Sequence, residues 1–222
     1  MLRLPPIRFL LADDARAGKI IMSGLLLKEL KLWRLVIRIL IVTPANLMFQ
    51  WQQELLERLW ELFDNILGVD LRNAYEVNPG QDKPQLITSM DWAKREDVRE
   101  SLTCVHWDMV IVDEAHRMST GDSEDKTDLY RLIELLSQKT HHFVLLTGTS
   151  HKGDPQNFCL FLQLLDLDMN GNVSSLEETM RRGHSHSYLR RSKETLLTFP
   201  DPASDKVPKL FTCRDERAVS FL

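Results

Sequence analysis

Three short stretches of this sequence combine residue types that could do chemistry: Gly18-Lys19, Asp113-Glu114 and Thr147-Gly148-Thr149. A glycine and a lysine opening a helix suit an anion, because the first helical N–H groups and the ammonium face it together. The loop before them, Asp13-Asp14-Ala15-Arg16-Ala17, has the length of a phosphate-binding loop. Of the pattern G-x-x-x-x-G-K-[ST], however, only Gly18 and Lys19 match; Asp13 stands at the first glycine and Ile20 where a hydroxyl belongs. Met109-Val-Ile-Val-Asp113-Glu114-Ala115-His116 is an apolar run that ends in two carboxylates. There Asp113 could hold Mg2+ while Glu114 orients or deprotonates a water. The same pair could instead begin a helix, with Asp113 as N-cap and Glu114 complementing the dipole. Leu145-Leu-Thr147-Gly148-Thr149-Ser150-His151, taken alone, reads as a turn with satisfied threonines.

Positioning these residues requires strands that end where each stretch begins. Short apolar runs at 7–12, 36–43, 85–88, 108–112 and 142–147 alternate with segments of helical period, the pattern of β-α units on a parallel sheet. A helix is expected over 21–32. Leu47, Trp51, Leu55, Leu59 and Phe63 recur every four residues, with Glu54, Glu57, Arg58 and Glu61 filling the other face, as in an amphipathic helix. Leu129, Leu132, Ile133 and Leu136 repeat the spacing, as do Phe158, Phe161, Leu162 and Leu165. The three loops then converge on one edge of a parallel sheet, where a nucleotide can sit. The expected fold class is α/β, a parallel sheet flanked by helices over residues 1–165. Residues 166–222, with the turn Asn170-Gly171-Asn172 and Pro200, Pro202 and Pro208, read as a helical or irregular C-terminal extension. The polar stretch 119–127 reads as a solvated loop.

Composition narrows the partners. Twenty-eight Lys and Arg against 32 Asp and Glu give a net charge of −4, so no global basic field attracts nucleic acid and any such contact is local. Arg181, Arg182, Arg190, Arg191 and Lys193 form one acid-free cationic segment, which reads as a solvated face or an interlobe contact. His184 and His186 lack a third metal ligand. Cys104, Cys159 and Cys213 fit neither a disulfide framework nor a metal knuckle. The most apolar stretch, 35–42, is interrupted by Arg38 and falls far short of the roughly 20 residues of a membrane helix. The start has no signal-peptide pattern. A cytoplasmic protein with no membrane partner is expected.

Taken in order, five stretches resemble motifs I, Ia, Ib, II and III of superfamily-two helicases. They are Leu11-Ala-Asp-Asp-Ala-Arg-Ala-Gly-Lys19, Val42-Thr-Pro-Ala-Asn-Leu47, Ile87-Thr-Ser-Met-Asp-Trp-Ala-Lys-Arg95, Val110-Ile-Val-Asp-Glu-Ala-His-Arg117 and Leu146-Thr-Gly-Thr-Ser-His-Lys-Gly153. More closely, residues 8 to 195 resemble the first RecA-like lobe of bacterial Swi/Snf-type ATPases, with Asp113-Glu114-Ala115-His116 as the DEAH box. The resemblance implies ATP and Mg2+ as cofactors. It places the loop Asp14, Ala15, Arg16, Ala17, Gly18, Lys19 and Ile20 at the nucleotide, with Lys19 on the β/γ-phosphates, Asp113 on the metal and Glu114 as the catalytic residue. It implies that His116, Thr147, Gly148 and Thr149 couple nucleotide state to lobe movement. It also implies that Pro44, Ala45, Asn46, Thr88 and Ser89 face the backbone of double-stranded DNA.

The departures carry equal weight. Where the family has a glycine two positions before Gly18, this chain has Arg16, whose Cβ restricts the backbone and whose side chain crowds the phosphate site. Ile20 replaces a Mg2+-binding threonine, and Ser150 a proline. The second lobe, with its arginine finger, lies outside the resemblance, and such a finger is worth about 10³ to 10⁵ in rate. Two functions follow as expectations: the ATP-binding lobe of a DNA-dependent translocase, truncated and weak alone unless a separately encoded second lobe joins it; or a non-hydrolysing pseudo-ATPase that serves as a docking module. A small P-loop kinase is a more distant third. Reverting Arg16→Gly together with Ile20→Thr is expected to tighten Mg2+-ATP binding, as calorimetry would measure; unchanged affinity counts against a damaged loop.

Overall fold

The strands of this sequence carry apolar side chains at odd and even positions alike, so both faces of the sheet they form must be covered. The computed structural model describes residues 6–13, 18–66, 79–118, 127–148, 155–165 and 188–191. Its strands are β1 (Arg8–Asp13), β2 (Ile39–Thr43), β3 (Asp64–Asn65), β4 (Gln85–Ser89), β5 (Met109–Val112), β6 (His142–Thr147) and β7 (Tyr188–Arg191). They form one sheet in the order β3-β4-β2-β5-β6-β1-β7, and every pairing is parallel. The helices are α1 (Lys19–Leu32), α2 (Met48–Leu59), α3 (Pro79–Asp82), α4 (Met90–Ala93), α5 (Glu96–Thr103), α6 (Asp128–Lys139) and α7 (Pro155–Leu165).

The two faces sort by residue parity, because successive strand side chains point to opposite sides. Leu11, Ile39, Ile41, Ile111, Val144 and Leu146 pack on one side against Leu27 and Leu30 of α1 and Trp51 and Leu55 of α2. Leu10, Leu40, Val42, Val110, Phe143 and Leu145 pack on the other against α4, α5, α6 and α7. Full burial of each such side chain contributes about 1.5–3 kcal/mol. Gly24 lets α1 and α2 close: a Cβ there would stand 2.1 Å from Leu59 Cδ1 and 3.0 Å from Leu55 Cδ2.

The α/β class and the five expected strands are present, with instructive differences at their ends. The expected strand at 36–43 begins only at Ile39, because the Ile37 and Arg38 N–H groups both donate to Asp108 Oδ2 at 2.8 Å rather than to a neighbouring strand. For the same reason β5 starts after Asp108. The stripe ending in Phe63 leaves the helix at Leu59. Trp60 adopts a left-handed conformation there, and Phe63 buries from the segment that follows. Two strands escape the sequence pattern. β3 is two polar residues long, and β7, from the segment read as an extension, lines up beside β1 in the same sheet. The expected 119–127 loop lies mostly outside the described residues.

At the N-terminal edge of the sheet, Arg8 joins three elements. Its guanidinium donates to the carbonyls of Ser137 and Thr140 at the end of α6, to those of Leu164 and Leu165 at the end of α7, and to the Ser137 hydroxyl, over 2.7–3.1 Å. A cation among orphan helix C-terminal carbonyls satisfies them and complements both dipoles. Beside it, His142 is 2 % exposed, and its Nδ1 accepts the Ile7 N–H at 3.1 Å. Burial, aided by His141, pushes the His142 imidazole down to about 4. The unfolded chain takes up this proton near pH 6.5 and the folded chain does not, so stability falls as pH drops from about 6.5 toward 4, by up to about 3 kcal/mol. Urea titrations across that window are expected to show this loss. His142→Asn, whose amide oxygen can accept the same N–H without titrating, is expected to flatten it; identical slopes would refute the assignment.

Candidate functional site

Because every strand runs the same way, the C-terminal ends of β1, β6 and β5, which are neighbours, deliver their loops to one edge. Gly18 ends the first loop at φ +80°, a left-handed conformation that glycine adopts without strain. Among the described residues, apart from its chain neighbours and its own helix backbone, no atom lies within 4 Å of where its Cβ would be, so the backbone angle calls for glycine there. The Gly18 carbonyl accepts the Met22 N–H, and α1 starts at Lys19 with no acid in its first turn. The open N–H end of that helix and the Lys19 ammonium therefore stand together.

Lys19 Nζ lies 3.6 Å from Glu114 Oε1, both side chains being largely buried. Glu114 Oε2 lies 3.1 Å from His116 Nδ1, which is also 3.1 Å from the Thr147 hydroxyl. The hydrogen bond from His116, then Lys19 and the Gly148 N–H, hold the Glu114 carboxyl below its ordinary range despite partial burial. Glu114 does this from φ +49°, a conformation that costs a non-glycine residue about 1 kcal/mol or more.

Asp113 next to it is shifted the other way. It is 4 % exposed, and burial raises its carboxyl against the opposing pull of the Trp51 indole and Lys19. Its Oδ2 accepts the Trp51 Nε1–H at 2.8 Å and the Thr43 hydroxyl at 3.3 Å, and its Oδ1 accepts the Glu114 N–H at 2.8 Å. The alternative reading of Asp113 as a helix N-cap is not realised: of the backbone N–H groups that follow it, its carboxylate takes that of the next residue and not those a cap would hold, and a short 3-10 turn, Ala115–Met118, follows. Neither Trp51 nor Thr43 was picked out for chemistry from the sequence, where Trp51 sat in a core stripe. The available signal was its indole N–H, which needs a partner wherever it is buried.

The remaining candidates lie as follows. Ile20 packs against the α1–α2 core and lines the same cleft as Lys19. Pro44 is buried, while Ala45 and Asn46 are exposed in a 3-10 turn after β2. Thr88 is fully buried with its hydroxyl unpartnered, and the Ser89 hydroxyl accepts the Trp92 N–H as cap of α4. Gly148 stands beside Lys19, its absent Cβ position 3.5 Å from Nζ. Asp14, Ala15, Arg16, Ala17, Thr149, Ser150, His184 and His186 lie outside the described residues.

Gly18, Lys19, Ile20, Asp113 and Glu114, with Gln50, Glu54 and Arg58 of α2, line a cleft of about 500 Å³, within the range of small-molecule sites. A carboxylate offers about four acceptor positions, and donors among the described residues take three on Asp113, which leaves one on Oδ1. Among the described residues no three His, Cys, Asp or Glu side chains gather as a metal cage. That donor set fits Mg2+, which takes one or two carboxylates and completes its shell with phosphates and water.

The SNF2-related domain model matches residues 6–198. RNA polymerase-associated protein RapA of Actinobacillus pleuropneumoniae serotype 5b is 34% identical over 171 residues, covering 72% of this chain and 18% of the relative. RapA of Yersinia pestis strain Pestoides F is 34% identical over 223 aligned positions, covering 97% of this chain and 22% of the relative. The chain thus spans about a fifth of the length of these curated relatives. The Sulfolobus solfataricus SWI2/SNF2 ATPase core in complex with dsDNA superposes with a TM-score of 0.68 at 19% identity, over 84% of this chain and 40% of that one; at that identity the likeness speaks to the RecA-like fold. No helix among the described residues is long and apolar enough to cross a membrane. Matched over most of its length, the chain belongs to the SNF2-related domain family and is a helicase-like domain of Swi/Snf type.

Proposed function

We propose that this chain is the ATP-binding lobe of a Swi/Snf-type translocase on double-stranded DNA, with Mg2+ as its metal and little turnover on its own. The observation that carries this reading is the meeting of Lys19, Asp113 and Glu114 in one cleft at the open end of α1. In it, Lys19 exchanges Glu114 for the β/γ-phosphates, and the first N–H groups of α1 hold phosphate oxygens. Asp113 holds Mg2+, which neutralises charge developing on the phosphates when bound. Glu114, kept ionised by its neighbours, positions the attacking water as the catalytic residue. His116 and Thr147 link that carboxylate to the end of β6, and with Gly148 and Thr149 they relay occupancy toward a second lobe.

The exposed turn at Ala45 and Asn46, beside Pro44, offers main-chain contacts to DNA. Thr88 and Ser89, with their hydroxyls turned inward, shape that edge through their backbone. The dsDNA bound to the Sulfolobus core supports this partner. Low turnover follows from the arginine finger that a second lobe supplies in the family.

A second reading, a non-hydrolysing docking module, draws on Ile20: an apolar branch packed on the core stands where the loop pattern places a Mg2+-binding hydroxyl. Calorimetry separates the two. Saturable Mg2+-ATP binding that Lys19→Ala abolishes, with turnover rising at least tenfold when a second lobe is added, is expected from the first reading. Binding without turnover even then, or a folded chain that binds no nucleotide, rejects the first and selects the second.

A further inference from the structure

A buried carboxylate that holds a metal must present the same oxygen each time, and nothing in the Asp113 side chain itself prevents rotation about its terminal bond. Here Oδ2 is taken by two donors from outside the loop. The Trp51 Nε1–H reaches it at 2.8 Å from α2 and the Thr43 hydroxyl at 3.3 Å from the end of β2, and both residues are fully buried. The Glu114 N–H at 2.8 Å takes one position on Oδ1. Donors among the described residues thereby fill three of about four acceptor positions, and a 180° flip of the carboxylate would swap the oxygens between two unequal environments. Trp51 is also set rigidly: its ring is fully buried between α2 and the sheet, so its N–H direction is fixed by packing.

We propose that Trp51, seconded by Thr43, is a positioning residue that fixes Oδ2 of Asp113 and reserves the remaining acceptor on Oδ1 for the metal. This rests on the reading of Asp113 as the metal-holding carboxylate. Such outer partners of a metal ligand typically contribute 10- to 100-fold in metal affinity.

The test uses the full chain, titrated calorimetrically with ADP in EDTA and in excess Mg2+; the ratio of the two affinities measures what the metal adds. Trp51→Phe keeps the ring and deletes the N–H. It is expected to cut that ratio about tenfold while leaving the affinity in EDTA and the far-ultraviolet circular dichroism as in the wild type. Thr43→Val is expected to cut the ratio about threefold, at the lower end of what one hydrogen bond contributes. An equal fall of both affinities makes Trp51 a packing residue and overturns the inference, as does an unchanged ratio. Should Trp51→Phe not fold, Thr43→Val decides alone, and an unchanged ratio there overturns it. A wild-type chain that binds ADP equally well with and without Mg2+ fails earlier and differently, by removing the role of Asp113 before any variant is made.

Discussion

Asp113 is a charged group taken almost wholly out of water, and an isolated carboxylate so placed costs several kcal/mol. The neighbouring architecture answers that cost. Trp51 comes from α2, Thr43 from β2, the Glu114 N–H from the turn after β5, and the Lys19 charge from the first residue of α1. Four separate elements are therefore held to one oxygen pair. The register of β2 against β5 matters for the same reason: Asp113 N–H donates to the Val42 carbonyl at 2.8 Å, which continues the ladder one step past the strand and brings Thr43 alongside.

Two adjacent carboxylates on one turn would ordinarily behave alike. Burial drives the first toward its neutral form, while a histidine and a lysine hold the second in its charged form, and such divergence assigns separate tasks to like groups. The positive φ at Glu114 makes the divergence possible, since it turns consecutive side chains to different surroundings, one toward α2 and the other toward Lys19 and His116. Gly148, just past the end of β6, adds to the arrangement by donating its N–H to the same carboxylate.

Much of this was legible in the residues. Apolar runs of four to eight residues between helical stripes announced a parallel sheet, and strand-end glycines, hydroxyls and acids marked the edge where the cleft lies. Less visible was whatever depends on contacts across the chain. Asp64 and Asn65 are poor strand formers that pair over only two positions, and Tyr188–Arg191 is half arginine; both are edge strands, recruited by a neighbour rather than by their own propensity. Asp108 shortened β2 through a side chain seventy residues away. Trp51 looked like any apolar knob, because helical spacing encodes which face a residue occupies and not where a polar tip on that face points. Ile20 departs from the loop pattern, and its packing on the core explains how the fold tolerates it.

The position of β1 in the sheet also bears on how the chain acquires its structure. Strands β2, β3, β4 and β5 pair among themselves, but β1 pairs only with β6 and β7. The Ile7 N–H must wait for His142, 135 residues later. At ribosomal rates of about 5–20 residues per second, roughly 7 to 27 s separate the emergence of the two. During that interval β2 to β5 can assemble as a half-sheet that α1 packs against, while β1 has no neighbouring strand among the described ones. The strand that leads into the lysine's loop is thus seated only after β6 has emerged, and its apolar side chains await a partner strand until then.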